Sequence, residues 1–403
     1  MKEVDVAVVG GGMVGASFAL ALRATKLRTL LIEGVAPDSA SQPSFDERTT
    51  ALGNGSRQIF ESLGVWPAMA PESAAIRSIH VSDAGRFGVA RLSAAEQGID
   101  AFGYVVPNRV IGRVLWQALR DAPDLTVAMP ARVEGAQRRD DGVLLDVVTA
   151  AGREQVHAAV AVAADGAGSV LRASAGIGAR TEDYEQVAIV VNGATDRPNA
   201  GEAFERFTPS GPLAVLPTAG GGYTVVWAVK PGRARELVAL DDDAFAAQLM
   251  DAFGWRAGRW TRVGKRNQYP LALSRAEETV AGRVVLIGNA AQALHPVAGQ
   301  GFNLGLRDAA TLAEMLAGAA TAPDFGALLA RFAAWRDEDR RGVTRFTDGL
   351  VKLFGSELPG LGLVRNFGLL LFDLSPGAKR ALSRVSWGFA GRMPRLARGL
   401  PLE

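Results

Sequence analysis

The sequence predicts an α/β fold: a Rossmann-like domain interleaved with an antiparallel-sheet domain and followed by a helical C-terminal region. Three observations predict it. A strand, a glycine-rich turn, a helix and a second strand open the chain and end at Glu33. The stretch from Val187 to Val229 is dense in β-branched and aromatic residues broken by turn signals. From Gly305 onward the pattern is mostly helical.

In chain order, Val4 to Val9 is a short apolar, β-branched run, as a buried parallel strand requires. Gly10-Gly11-Gly12-Met13-Val14-Gly15 turns the chain, Ala16 to Arg23 continues as helix, and Thr29 to Ile32 completes a βαβ unit. A Ser/Pro/Asp-rich loop spans Asp38 to Asp46, and a helix follows from about Ser56 to Leu63. Ile76 to Arg91 is strand-like and Pro107 to Leu119 helical. Thr126 to Val133, Val143 to Thr149 and Gln155 to Ala163 are expected as strands of a meander. Turns at Pro209-Ser210-Gly211 and Gly220-Gly221-Gly222 divide the next stretch into an antiparallel sheet. Asp242 to Phe253 is expected as helix and Arg283 to Ile287 as a buried strand. Residues 1–75, 105–178 and 281–325 then build the first domain, 76–104 and 179–280 the sheet domain, and 326–403 the helical end.

The bulk properties narrow the function classes. The chain has 403 residues, 48% hydrophobic and 21% charged, ordinary values for a globular enzyme. It has no cysteine, which excludes thiol relays, disulfide exchange, iron–sulfur clusters and cysteine-based zinc sites. A net charge of +2 gives no field for nucleic acid. His80, His157 and His295 are too scattered for a metal-site spacing, so no metal is expected. The charged start Met1-Lys2-Glu3-Val4-Asp5 is not a signal peptide, and no apolar window reaches the ~18 residues of a membrane span. The default location is the cytoplasm.

Gly10-x-Gly12-x-x-Gly15 has the context of a dinucleotide fingerprint: a strand before it, a helix after it, and an acidic strand end in Glu33, 18 residues past Gly15. The first glycine permits the tight turn, the second lets backbone approach a pyrophosphate, and the third lets helix and strand pack closely. The helix N-terminus supplies free N–H groups to the phosphates, and the Glu33 carboxylate suits ribose hydroxyls. This fingerprint alone does not choose between FAD and NAD.

Two further clusters do. One is Ala163-Ala164-Asp165-Gly166-Ala167-Gly168-Ser169, which closes an apolar run. The other runs from Val284 through Gly288-Asn289-Ala290-Ala291-Gln292-Ala293-Leu294-His295-Pro296-Val297-Ala298-Gly299-Gln300-Gly301-Phe302-Asn303 to Gly305. Together they resemble the flavin-binding segments of single-component aromatic hydroxylases related to p-hydroxybenzoate hydroxylase. Nearly the whole chain is covered, and the resemblance implies a Rossmann-like FAD-binding domain interleaved with an antiparallel-sheet substrate domain. It implies flavin contacts from Gly10, Gly12, Met13, Val14, Gly15, Glu33 and Gly34, from Arg48 and Arg109, and from Asp165, Gly166, Gly288 and Asn289. Pro296, Gly299, Gln300, Gly301, Phe302 and Asn303 complete that set, with helix-start amides aimed at the flavin edge that gains negative charge on reduction.

Phe45 to Gly53, Gly103 to Arg109, Ala203 to Thr208, Gly211 to Pro217 and Leu294-His295-Pro296 are similar to ubiquinone-biosynthesis hydroxylases. Most of the wider family has Gly-Asp where this chain has Gly288-Asn289. That departure weakens a charged ribityl contact, and it matches the 2-polyprenyl-6-methoxyphenol hydroxylase branch. The resemblance implies FAD as cofactor, NADPH or NADH as transient cosubstrate, and O2 added at flavin C4a as a hydroperoxide that hydroxylates a polyprenylated phenol. His295 is a candidate catalytic base and equally a loop-packing residue; Phe204, Arg206, Leu216 and Pro217 are candidate substrate contacts. From Leu374 to Leu402 six basic residues (Lys379, Arg380, Arg384, Arg392, Arg395, Arg398) are interleaved with Trp387, Phe389 and Met393. This segment suits either a peripheral contact at the inner membrane face or a helix covering the first domain. A biosynthetic complex and a homodimer stay open as partners. A polyprenyl reductase, a halogenase or a catalytically idle flavin-bearing partner are the alternative functions.

Overall fold

The opening run folds as β1 (Lys2–Val9), α1 (Met13–Leu22) and β2 (Thr29–Ile32), with β1 pairing parallel to β2. The computed structural model describes residues 2–39, 42, 44–122, 125–294, 299–318, 324–355, 373, 375, 377 and 392–402. Next come β3 (Thr49–Gly53), α2 (Asn54–Ser62), α3 (Trp66–Met69), β4 (Ala74–Ile76), β5 (Ser78–Asp83), β6 (Val89–Ser93) and β7 (Gly103–Pro107). The amphipathic α4 (Asn108–Arg120) leads to β8 (Leu125–Ala128), β9 (Ala131–Arg138), β10 (Val143–Thr149) and β11 (Gly152–Ala163). α5 (Val170–Ser174) then connects to β12 (Ala179–Thr195), β13 (Glu202–Thr208), β14 (Gly211–Pro217) and β15 (Tyr223–Val229). α6 (Pro231–Ala239) and α7 (Asp242–Phe253) precede β16 (Trp260–Val263), β17 (Asn267–Ala276), β18 (Val280–Ala281), β19 (Val284–Leu286) and β20 (Gln292–Ala293). Two long helices, α8 (Gln300–Ala317) and α9 (Phe325–Gly355), follow.

Three sheets result. The first runs β18-β19-β11-β1-β2-β8, parallel from β19 to β8, with β10 beside β11 and β9 beside β10. The second runs β20-β17-β12-β15-β14-β13-β5-β6, with β16 beside β12. β3, β7 and β4 form a small antiparallel sheet between them in the chain.

Expectation and fold part at Thr126–Val133, read as one strand of a meander. The run breaks at Met129-Pro130, because proline cannot donate to a ladder. Its first half joins β2 in parallel and only its second half joins the β9–β10–β11 meander.

The core of the first sheet is apolar on both faces: Val6, Val8, Leu31, Val160 and Val162 are buried with α1, α4 and α8 on one side. Charge holds α8 against α9. Asp308, fully buried, meets Arg336 at 2.7 Å and Arg340 at 3.0 Å, and Asp339 meets Arg336 at 2.7 Å and Arg307 at 3.1 Å. Burial alone would raise the Asp339 carboxyl, but Arg307 and Arg336 outweigh it and hold it below its usual 3.8. The stability it contributes is therefore present above that value and lost as pH falls through the lower native one.

The described end of the chain packs on this domain. Leu396 and Ala397 are buried in the same core, and Arg392 lies 3.8 Å from the centre of the Trp335 ring. Lys379, Arg380, Arg384, Trp387 and Phe389 lie outside the described residues. Among the described residues no helix is long and apolar enough to cross a membrane.

Asp308→Asn leaves Arg336 and Arg340 buried with one charge too few. It is expected to lower unfolding stability by about 3–5 kcal/mol, read from the guanidinium midpoint; an unchanged midpoint contradicts the network's role.

Candidate functional site

Four parallel strands end at one level, since Val9 is in register with both Ile32 and Ala163, and Ala163 with Leu286. Ligands bind beyond the carboxyl ends of such strands. Here those ends carry Gly10, Glu33, Asp165 and Gly288-Asn289 side by side.

The turn after β1 is possible only with glycine. Gly10 has φ +101°, and a Cβ there would lie 2.5 Å from the Ala164 carbonyl oxygen. A Cβ on Gly15 would lie 1.9 Å from the Gly10 carbonyl oxygen. The α1 helix starts at Met13 and Val14 with no side-chain cap, so its first amides face outward as donors for anionic oxygen. Glu33, buried, accepts hydrogen bonds from the Gly11 N–H at 2.5 Å and the Val35 N–H at 2.8 Å, one on each oxygen. Those bonds fix the carboxylate at the strand end and leave each oxygen a second acceptor position. Trp116 of α4 clamps the same turn by donating to the Gly11 carbonyl at 3.1 Å. Nothing in the local pattern marked Trp116, because its role depends on α4 folding back over the turn.

Asp165 accepts from the Val170 and Leu171 amides through Oδ2, while Oδ1 is buried with no partner. Gly166, with φ +86°, has open space where a Cβ would stand. Asn289 is exposed beyond β19, and three residues on Gln292 is buried with both amide atoms unpartnered. Gly34 packs beside Arg132.

The α8 helix starts at Gln300 after Gly299, which takes the left-handed φ of +59°, again with no side-chain cap. Gly301 and Phe302 sit in its first turn, half-buried. The Asn303 side chain is engaged within the protein. It accepts from Gly53 N–H and Ser56 Oγ and donates to the Ala51 and Gly299 carbonyls, at 2.6 to 2.9 Å. Its amide is thus spent on joining α8 to β3 and α2. Arg48 pairs with Asp46 at 2.6 Å and lies 4.5 Å from the centre of the Tyr269 ring, at the junction with the second sheet. Arg109 faces outward and pairs with Glu47 and Glu72. His295 and Pro296 lie outside the described residues.

Register sorts the substrate candidates by face. Phe204 pairs with Val215 and Pro217 with Tyr223, and these belong to the side covered by α6 and α7. Arg206 donates to the Ala252 carbonyl at 3.0 Å on that same side. Phe204, Arg206 and Pro217 therefore point away from the junction. Leu216 points toward it, packing on the buried cluster of Phe102, Val105 and Ala203 on which Ala51 also packs. So does Glu205, which alternation places opposite Arg206 and in register with Ala214 and Val81. Burial pushes the Glu205 carboxyl up to about 7, and among the described residues no cation offsets it.

These features fit FAD: two uncapped helix starts for anionic groups, a fixed carboxylate for ribose, and buried polar atoms on Asp165 and Gln292 without partners among the described residues. Among the described residues no group of three or more acidic or histidine side chains forms a metal cluster.

A family model described as an FAD binding domain matches residues 3–347. Along its whole length the chain is 37% identical to ubiquinone hydroxylase UbiL of Rhodospirillum rubrum, covering 94% of that protein. It is 31% identical to 3-demethoxyubiquinol 3-hydroxylase of Escherichia coli, over 96% of this chain and 99% of the other. The crystal structure of p-nitrophenol 4-monooxygenase PnpA from Pseudomonas putida superposes with a TM-score of 0.80 at 22% identity. It covers 97% of this chain and 100% of that one, a likeness of fold.

Two outcomes are expected. Gly15→Ala forces the Gly10 carbonyl aside, so the purified variant should retain little or no FAD per chain by released-flavin absorbance; full retention contradicts the turn geometry. Folding raises Glu205 from 4.5 to about 7, so stability falls as pH rises through that window. Glu205→Gln should accordingly melt higher than the wild type at pH ~8, and equal melting curves contradict the raised carboxyl.

Proposed function

The chain belongs to the FAD binding domain family and is an FAD-dependent monooxygenase using NAD(P)H and O2, and from that premise we propose that it hydroxylates the ring of a polyprenylated methoxyphenol in ubiquinone biosynthesis. One observation carries the reading. Beyond the strand end at Gly288-Asn289 the chain pairs as β20 with β17 of the antiparallel sheet, Asp46 and Arg48 reach Tyr269 on the apolar side of that sheet, and Gly299 at the α8 start lies beside Ala51. An electron-carrying cofactor and a ring substrate can face each other there. The hydroxylase names of two full-length relatives support a quinone precursor as the ring.

Bound FAD supplies the electron storage and oxygen activation that side chains lack. Everything else falls to this chain. The α1 start with Gly12, Met13 and Val14 holds the pyrophosphate, and Glu33 orients the ribose. Asp165, Gly166, Gly288 and Asn289 would hold the ribityl part, and the α8 amides from Gln300 to Phe302 would stabilise negative charge at the ring edge. Val190, Val226, Leu271 and Leu216 provide an apolar wall that keeps water from the reacting atoms. Residues 1–75, 105–178 and 281–325 form the FAD-binding domain in this reading, with 76–104 and 179–280 presenting the substrate.

Deleting the gene in its host and extracting quinones tests the assignment. A polyprenylated precursor lacking one ring hydroxyl is expected to accumulate, and restoring the gene to clear it. Unchanged quinone content contradicts the substrate; a precursor with unreduced prenyl double bonds would instead indicate a reductase.

A further inference from the structure

We propose that Glu205 is the catalytic residue that accepts the phenolic proton of the ring substrate. The inference rests on the aromatic-ring reading above and goes beyond it in naming the base.

β13 and β14 pair Phe204 with Val215, Glu205 with Ala214 and Arg206 with Leu213. Cross-strand partners share a face. Glu205 therefore lies with Ala214, Val226 and Val190, a row that crosses β14, β15 and β12 on the junction side. Leu216, two residues along from Ala214, packs on the same buried cluster, with Phe102, Val105 and Ala203, as Ala51 does. Ala51 in turn touches the α8 start: a Cβ on Gly299 would lie 3.3 Å from the Ala51 Cβ. Glu205 thus stands on the wall that faces the proposed flavin edge.

Its surroundings are those of a working base. The neighbours in register, Val81 and Ala214, and those two residues along its strand, Ala203 and Phe207, carry no charge. Of the described charged groups on that side, Asp83 pairs with Arg86 and Asp46 with Arg48. No hydrogen bond or ion pair engages Glu205 among the described residues. The side chain is hemmed in by protein and still keeps accessible surface, as a group lining a cleft does. A fold has no structural use for an unpaired carboxylate held this way, because its desolvation costs stability.

The chemistry balances simply. The O–H bond of the phenol breaks, its proton bonds to a Glu205 carboxylate oxygen, and the electron pair stays on the phenol oxygen. The ring becomes more electron-rich toward the electrophilic oxygen that the known activity supplies. The net charge of the pair is −1 before and after, so no new charge is created on the apolar wall. A carboxyl titrating at about 7 matches a phenol better than an ordinary carboxylate does.

The test uses the FAD-loaded enzyme and two ligands, 2-geranyl-6-methoxyphenol and its O-methyl ether. Their affinities are measured by fluorescence from pH ~5.5 to ~8.5, bracketing the Glu205 titration. In the wild type the preference for phenol over ether should rise with pH and level off above about 7. In Glu205→Gln the preference should be flat, with hydroxylation lowered by roughly 10²–10⁴-fold. A Glu205→Gln protein with the wild-type preference and pH dependence overturns the proposal. If that variant lacks flavin, Glu205→Asp carries the same test: the limb must move, and an unmoved limb overturns it. A wild type that binds neither ring overturns the aromatic-ring reading and this proposal together.

Discussion

Everything at the site depends on backbones touching where no side chain can stand. Gly15 lets α1 sit on the Gly10 carbonyl, and Gly305 lets α8 come to the backbone of Gly288, where a Cβ would lie 2.9 Å from its Cα. These two contacts bring two helix starts and four strand ends to one place. A methyl at either position would separate them. Asn303 then fixes the α8 start to β3, and the buried Asp308–Arg336 pair holds α8 from behind. The helices are therefore preorganised donors, and the energy of arranging them is met by packing and ion pairs remote from the reacting atoms.

Much of this was legible in the residues. The Gly10–Gly15 turn and Glu33 have a fixed spacing, because strand, turn and helix are local in sequence and each glycine has a separate steric reason. The Gly288-to-Gly305 stretch was legible for the same reason. Local pattern failed where long-range pairing decides. Thr126–Val133 has a single strand's composition, yet Pro130 divides it between two sheets. Trp116 and Asn303 take their roles from partners distant in sequence, 105 and about 250 residues away.

The substrate wall shows a subtler limit. Phe204, Arg206 and Leu216 were all candidates, but Phe204 and Leu216 cannot share a face of this hairpin. The Pro209-Ser210 turn pairs Thr208 with Gly211, which sets Phe204 opposite Val215 and leaves Leu216 on the Glu205 side. A shift of one residue exchanges the two faces of a strand completely. Only the observed register, with α6 and α7 covering Phe204 and Arg206, identifies Glu205 as the residue at the junction.

The central claim is that this junction directs one oxygen atom from O2 to a ring held on the antiparallel sheet. Turnover of a prenylated methoxyphenol with NADPH under ¹⁸O₂, followed by mass spectrometry of the product, tests it most directly. The account predicts one ¹⁸O atom in the new ring hydroxyl and NADPH consumed in step with product. A product labelled from water, or NADPH oxidised with no ring oxygenation, would contradict it.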